Sequence, residues 1–257
     1  MGEQKTAIVT GGGSGIGKAA ALKLAEQGYR VALFELKEER AREVGEFIDS
    51  SGGTYMIENV DVSNEEKVAS GIRHVFEKWG RIDVLFDNAG INGTIAPIEE
   101  MEASDWDHTI QTNLKSTFLL VKHAIPYMKE VGGSIIITSS INGSRTFSNI
   151  GFSAYSSSKA GQITFMKMAA LELARYKIRV NAICPGAVDT NIGQNTEEKG
   201  NLDKVRIPVE FPNGDKPLEN APGNPEQIAD LVYFLASEHS SHITGTEIYI
   251  DGAESLL

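Results

Sequence analysis

The chain has 257 residues, with 24 lysines and arginines against 35 aspartates and glutamates, a formal net charge of −11. That acidic balance argues against a nucleic-acid partner and against an anionic membrane surface, both of which require clustered basic residues. A chain this long buries about three quarters of its unfolded surface, so its core needs no metal or disulfide staple. The single cysteine, Cys184, can form no intrachain disulfide and fits a reducing cytoplasm.

Glu3, Gln4 and Lys5 predict that no secretory leader opens the chain. The start Met-Gly-Glu-Gln-Lys-Thr matches an N-myristoylation pattern, against which stands a first strand expected to begin at Thr6. That strand, Thr6–Thr10, runs into Thr10-Gly-Gly-Gly-Ser-Gly-Ile-Gly17. Gly11 permits a turn closed to other side chains, Gly15 lets backbone amides approach a pyrophosphate, and Gly17 lets the next helix pack closely on the sheet. The helix start then offers unpaired N–H groups and a positive dipole end to an anion. Gly28 stands where a helix C-terminus favours glycine.

The second strand, Arg30–Phe34, ends at Glu35, whose carboxylate can accept both hydroxyls of an adenosine ribose and would repel a 2′-phosphate. No Arg or Lys lies between Gly11 and Gly17, and Leu36 follows the acid, so NAD is the expected cofactor; Lys37 is the residue that could admit NADP. Further strands are expected at 55–60, Val84–Asp87, 134–139, 179–184 and Glu247–Ile250. They are short and apolar on both faces, as in parallel strands covered by helices. Ser63 to Glu66 and Ser104 to Asp107 read as capping boxes, and Asn224-Pro225-Glu226 as a cap with proline in the first turn. The alternation predicts one α/β domain over the whole chain, a Rossmann-type doubly wound parallel sheet flanked by helices. Residues 191–223 break the rhythm: they are polar, hold four of the eight prolines and read as a substrate-binding loop or lid. The longest apolar run, Leu231 to Ala236, is too short to cross a membrane.

Tyr155 and Lys159 stand four apart at the start of a predicted helix, so phenol and ammonium share a face. A free phenol holds its proton too tightly for exchange at neutral pH, with a pKa near 10. A nearby cation favours the phenolate, and the pair could serve as a general acid/base for alcohol–ketone interconversion. Cys184 reads as a buried inert thiol and Trp79 and Trp106 as packing residues, and the five histidines form no metal-ligand pattern, so no metal is expected.

The glycine turn, Asn88-Ala89-Gly90, Ser139-Ser140 after a strand, Tyr155 with Lys159, and Pro185-Gly186 occur in one order. Together they resemble the short-chain dehydrogenase/reductase family over nearly the whole chain. The resemblance implies a tetrad: Asn113 supporting the lysine through a water-linked relay, Ser140 hydrogen-bonding the substrate oxygen, Tyr155 transferring the proton, and Lys159 lowering the tyrosine pKa and holding the nicotinamide ribose. It places the cofactor on Gly11, Ser14, Gly15, Ile16 and Gly17, on Glu35, with Asp61 and Val62 at the adenine and Asn88, Ala89 and Gly90 along the cleft. Pro185, Gly186, Val188 and Thr190 would line the nicotinamide end, the last two at its carboxamide.

Three positions depart from the family pattern. Asp87 stands where asparagine is usual before Asn88-Ala89-Gly90, and Ala253 replaces a glycine after Ile250-Asp251-Gly252. The third is a longer gap between Ser140 and Tyr155, so the loop 141–152 must bulge. The catalytic serine could therefore be Ser139, Ser140 or Ser144; the Ser-x-x-Gly pattern ending at Gly143 favours Ser140.

The expected activity is NAD-dependent oxidation or reduction at a secondary alcohol or ketone, with a polar small alcohol, polyol or sugar as substrate. Reduction of 3-oxoacyl groups on acyl-carrier protein is the competing enzyme reading. Against it, the family's docking cations align with Val131 and Tyr176, although Lys129, Arg175 and Lys177 lie adjacent. A cofactor-binding regulator without turnover would be expected to lack a tetrad member. Family resemblance also implies a homotetramer packed through helices near 104–131 and 154–176, where Ala160, Gly161, Phe165, Met168 and Ala169 face either a second copy or the sheet.

Overall fold

Ala7, Ile8 and Val9 are all fully buried, yet successive residues point into different cores. The side chains of an extended strand alternate between its faces, so a wholly apolar strand is stable only with a layer packed on each side. The computed structural model describes residues 4–212 and 214–257. Met1, Gly2 and Glu3, and with them the acylation pattern and part of the leader reading, lie outside the described residues.

Among the described residues the elements run β1 (Thr6–Thr10), α1 (Gly15–Glu26), β2 (Arg30–Phe34), α2 (Glu38–Ser50), β3 (Thr54–Glu58), α3 (Glu65–Trp79), β4 (Val84–Asp87), β5 (Gly93–Ile95) and α4 (Ala103–Ile110). There follow α5 (Ser116–Met128), β6 (Gly133–Thr138), α6 (Ser153–Leu173), β7 (Ile178–Pro185), β8 (Thr196–Glu198), α7 (Pro225–Ala236) and β9 (Glu247–Ile250). Seven strands form a parallel sheet in the order β3-β2-β1-β4-β6-β7-β9. Ile8, Leu85, Ile135 and Val180 meet α3, α5 and α6 on one face. On the other face Val9, Val31, Phe86 and Ile136 meet α1, α2 and α7. This is the expected doubly wound α/β architecture. Strand order reverses between β1 and β4, and a crevice opens beyond the carboxyl ends of the strands at such a switch point. The glycine turn leaves β1 there, and Asn88-Ala89-Gly90 leaves β4 beside it.

The differences from expectation are local. The third strand ends at Glu58 because its partner β2 ends at Phe34, leaving Asn59 and Val60 to run toward the crevice rather than extend the strand to 60. The sixth strand is shifted one residue, to Gly133–Thr138, and the seventh reaches from Ile178 to Pro185. Asn64, not Ser63, caps α3 and accepts from the Lys67 amide; Ser63 donates instead, through backbone and hydroxyl, to Asp61 Oδ1. Ser104 lies inside α4, whose cap position is Glu102. The Asn224 cap forms as expected, with Gln227 completing a capping box. Trp79 packs on the core, whereas Trp106 is 38% exposed.

Two features carry no sequence signal. Residues 191–223 contain β8, which pairs in parallel with β5 in a two-stranded sheet. Three-residue strands are too short to show a period. Between α4 and α5 the chain continues through a π-helical turn, Gln111–Lys115, which holds Asn113.

Candidate active site

The crevice at the switch point is a cleft of about 780 Å³. Its walls bring together Gly11, Ser14, Gly15, Ile16, Glu35, Asp61, Val62, Asn88, Ala89, Gly90, Ser140, Tyr155, Lys159, Pro185, Gly186, Val188 and Thr190. Two sequence-predicted residues stand behind the wall instead. Gly17 is inside α1, where a Cβ would fall 2.1 Å from the Gly11 carbonyl oxygen, so no larger residue fits without moving the helix. Asn113 is fully buried behind Gly90.

At one end of the cleft, Gly11 and Gly15 adopt positive φ of 65° and 50°, the conformation that lets the turn double back over α1. Ser14 occupies the N-cap position of α1, but its side chain makes no capping hydrogen bond. The amides at the helix start are thus open to an anion. Glu35 is held by three backbone donors: Gly13 N–H reaches Oε2 at 3.1 Å, and Leu36 and Lys37 N–H reach Oε1 at 3.0 and 3.1 Å. Anchored in this way, the carboxylate keeps lone pairs for hydroxyl donors. A glycine turn, an open helix start and a fixed acid fit the pyrophosphate and adenosine ribose of a nicotinamide dinucleotide.

Thr10, the last residue of β1 and not among the expected site residues, ties the walls together: its hydroxyl accepts from Asn88 and Ala89 N–H at 2.8 and 2.9 Å. Asn88 in turn donates to Thr10 O at 3.2 Å and accepts from the Thr138 hydroxyl at 3.3 Å, lacing the ends of β1, β4 and β6. Thr190 lies near the glycine turn as well as along the cleft, 3.1 Å from where a Gly15 Cβ would stand. Glu254 was also missed. It lines the cleft, accepts from Ala187 N–H at 2.8 Å, and pairs with Lys216 at 3.1 Å. Such a link between the C-terminus and the Pro185-Gly186 loop leaves no local pattern to read.

Tyr155 and Lys159 sit in the first turns of α6 and are both buried, at 9% and 4% exposure. Geometry separates the three candidate serines. Ser139 donates its hydroxyl to Lys159 O at 2.9 Å, and Ser144 pairs with the Tyr249 hydroxyl at 2.7 Å. Ser140 lines the cleft together with Tyr155, and its hydroxyl oxygen accepts from Asn142 N–H at 3.2 Å. The expected bulge forms as a 3-10 turn, Ile141–Gly143, in which a Gly143 Cβ would fall 2.9 Å from the Lys159 carbonyl carbon. Glycine there lets the loop rest directly on α6, which is the physical content of the Ser-x-x-Gly pattern.

Electrostatics differ from the simplest sequence reading. Burial raises the Tyr155 phenol above its ordinary value, with the Ser140 hydroxyl opposing the shift. Lys159 Nζ donates to Thr138 O at 2.8 Å and stands over the Tyr155 ring, 5.6 Å from its centroid. Its pKa is lowered to about 8 by burial, opposed by Asp87 and Cys184. The Cys184 thiol is pushed up to about 12, chiefly by burial, which makes it a poor nucleophile.

Asn113 braces the loop beyond Gly90: its Oδ1 accepts from Ile91 N–H and its Nδ2 donates to Ile91 O, both at 2.9 Å. Nδ2 also donates to Ser158, which donates to Tyr155 O, tying the π-turn to the start of α6. Asn113 O, in the π-turn, also accepts from Gln162 Nε2 at 2.9 Å. No group of three or more His, Cys, Asp or Glu residues among the described residues is arranged to hold a metal ion, and none of the helices searched is long and apolar enough to cross a membrane.

A family model described as enoyl-(acyl carrier protein) reductase matches residues 11–253. The chain is 36% identical over 252 residues to the 3-oxoacyl-(acyl-carrier-protein) reductase FabG of Thermotoga maritima, covering 97% of each. It is 33% identical to levodione reductase of Leifsonia aquatica, covering 98% of this chain and 94% of that protein. A crystal structure of a 3-ketoacyl-ACP reductase from Sinorhizobium meliloti superposes with a TM-score of 0.93 at 41% identity, covering 98% and 99% of the two chains.

Proposed function

The chain belongs to the short-chain dehydrogenase/reductase family, oxidoreductases that act on CH–OH groups with NAD or NADP, and from that premise we propose that it uses NAD to interconvert a small uncharged polar alcohol, polyol or sugar and the corresponding ketone. The observation that carries this reading is a single cleft with Glu35 anchored at one end and Tyr155, Ser140 and Lys159 gathered at the other. When bound, the nicotinamide supplies or accepts the hydride. The protein binds, orients and moves the proton.

In that mechanism the Ser140 hydroxyl holds the substrate oxygen, and Tyr155 Oη gives a proton to a ketone or takes one from an alcohol. Burial keeps the phenol protonated in the free enzyme at neutral pH, so it starts as an acid. Acting as a base requires added positive potential, to which the Lys159 ammonium contributes. Asn113 positions the loop and the start of α6. Glu35 selects the unphosphorylated ribose, while Lys37 and Arg40 stand near it on the cleft wall.

An uncharged substrate follows from the cations. Those of residues 191–223 are engaged: Lys199 with Asp105, Lys204 with Glu100, Arg206 with Asp203, and Lys216 with Asp215 and Glu254. The loops flanking Tyr155 contribute amides instead, Asn92, Asn142, Asn149 and Asn195, beside Ile91, Ile141 and Phe152. We take 191–223 as the lid of one catalytic domain spanning the chain. NAD(H)-linked turnover should appear on a panel of cyclic alcohols, polyols and sugars; no turnover anywhere on the panel in either direction would reject this reading.

A second reading has its own support. Lys129 and Arg175 lie 5.3 and 4.8 Å from the Tyr176 ring centroid, forming a basic patch suited to an acidic carrier protein. The FabG relative acts on such a substrate by its name. Reduction of a carrier-bound 3-oxoacyl thioester, faster than any free alcohol is oxidised, would favour it.

For assembly we propose a homotetramer. Phe118 on α5 and Met168 and Leu171 on α6 are exposed at 46%, 56% and 77%, and Phe118 meets Phe165 edge-on. Such a face suits helix packing between copies. Sedimentation at four times the chain mass is expected, and a monomer at micromolar concentration would contradict it. A cytoplasmic location accords with the buried, reduced Cys184.

A further inference from the structure

Asp87 ends β4 in the middle of the sheet and is 1% exposed. Burial of a lone carboxylate is costly, and such a group needs donors or an opposite charge. The Thr117 hydroxyl donates to its Oδ2 at 2.5 Å, and Gln162 Nε2 donates to that same hydroxyl at 2.8 Å. Gln162 lies one turn beyond Lys159 on α6, which places the carboxylate on the side of the sheet from which Lys159 enters. Asp87 pairs with Ile137 across β4 and β6, and Lys159 Nζ is seated on the next carbonyl, that of Thr138. Adjacent strands lie about 4.8 Å apart. The two charges are therefore held at neighbouring strand ends, in a dry layer, by different elements.

We propose that Asp87 is a positioning residue of this site, its buried carboxylate being the counter-charge that keeps the Lys159 ammonium protonated and seated on Thr138. The asparagine suggested by the family pattern would fill the same space and accept the same hydroxyl, but without charge. The ionisable groups that face the pair are Tyr155 from α6 and Cys184 from β7; the thiol stays neutral across the working range. Burial raises Asp87 and lowers Lys159, and each charge opposes the shift of the other. Removing the carboxylate removes a cause that raises the lysine, so Lys159 must titrate lower. The link to catalysis rests on the role proposed above for Lys159; the electrostatic coupling does not.

The test is a titration of Lys159 in the cofactor-free protein, followed by ¹³C NMR of lysine labelled at Cε and assigned with Lys159→Arg. In Asp87→Asn, the midpoint is expected to fall below the wild-type value by about one pH unit or more. The alkaline limb of the NAD-linked rate profile should move down with it. Thr117→Val weakens the carboxylate's hold on its charge and should give a smaller shift in the same direction, which decides the matter if Asp87→Asn fails to fold. An unchanged Lys159 midpoint in the folded variant would overturn the proposal, as would a shifted midpoint with an unmoved rate profile. A shifted midpoint in a protein without turnover would reject the functional reading and leave the coupling intact.

Discussion

Tyr155→Phe should lower kcat/KM for alcohol oxidation by about a thousandfold while leaving cofactor affinity within about threefold. A thousandfold is about 4 kcal/mol of transition-state stabilisation, within the range of a general acid/base but beyond what lost packing explains. Phenylalanine retains the ring that meets Phe152 edge-on at 5.8 Å between centroids, and it retains the burial of the first turn of α6. Only the phenolic hydroxyl, on the wall of the cleft with Ser140, is lost. Steady-state kinetics in both directions, with a fluorescence titration of reduced cofactor, would check this. If the variant kept a tenth or more of wild-type kcat with normal cofactor binding, another group would have to carry the proton.

Glu35→Ala should move the ratio of kcat/KM for NAD to that for NADP by on the order of 100-fold toward NADP, roughly 3 kcal/mol. Three backbone amides fix the carboxylate, so it cannot swing away from a 2′-phosphate at low cost. Its removal takes away two acceptors for ribose hydroxyls and a like charge opposite the phosphate. Lys37 and Arg40, already on the cleft wall, would then face the phosphate. Arg40 is partly occupied by Gln194 at 3.3 Å, an exposed contact a phosphate would readily displace. Kinetics with each cofactor at subsaturating concentration give the ratio directly. Wild-type preference for NADP, or an unchanged ratio in the variant, would remove Glu35 as the selector.

Local demands on the backbone were legible residue by residue. Only glycine readily takes the positive φ found at Gly11 and Gly15, and only glycine fits where Gly17 meets the Gly11 carbonyl; the turn was therefore legible once a strand was read before it and a helix after it. Strands buried on both faces declared themselves as short unbroken apolar runs, and the four-residue step from Tyr155 to Lys159 already implied a shared face. The choice among Ser139, Ser140 and Ser144 could be narrowed by pattern, but their partners could not be read.

What tertiary structure alone decided lies between residues far apart in the chain. The hydroxyls of Ser139 and Ser144 take their partners, Lys159 O and the Tyr249 hydroxyl, from other elements. Lys159 shares the face of Tyr155 as the spacing implied, but its seat on Thr138 O could not be read, because the carbonyl comes from the end of β6. Asp87 read only as a departure from the family pattern; packing of α5 and α6 over the end of β4 buried its carboxyl group. Sequence spacing determines what neighbours within a turn or a strand can do, since covalent geometry sets those distances. Charge, burial and proton affinity depend on which distant segments exclude water, and that is settled only when the layers close.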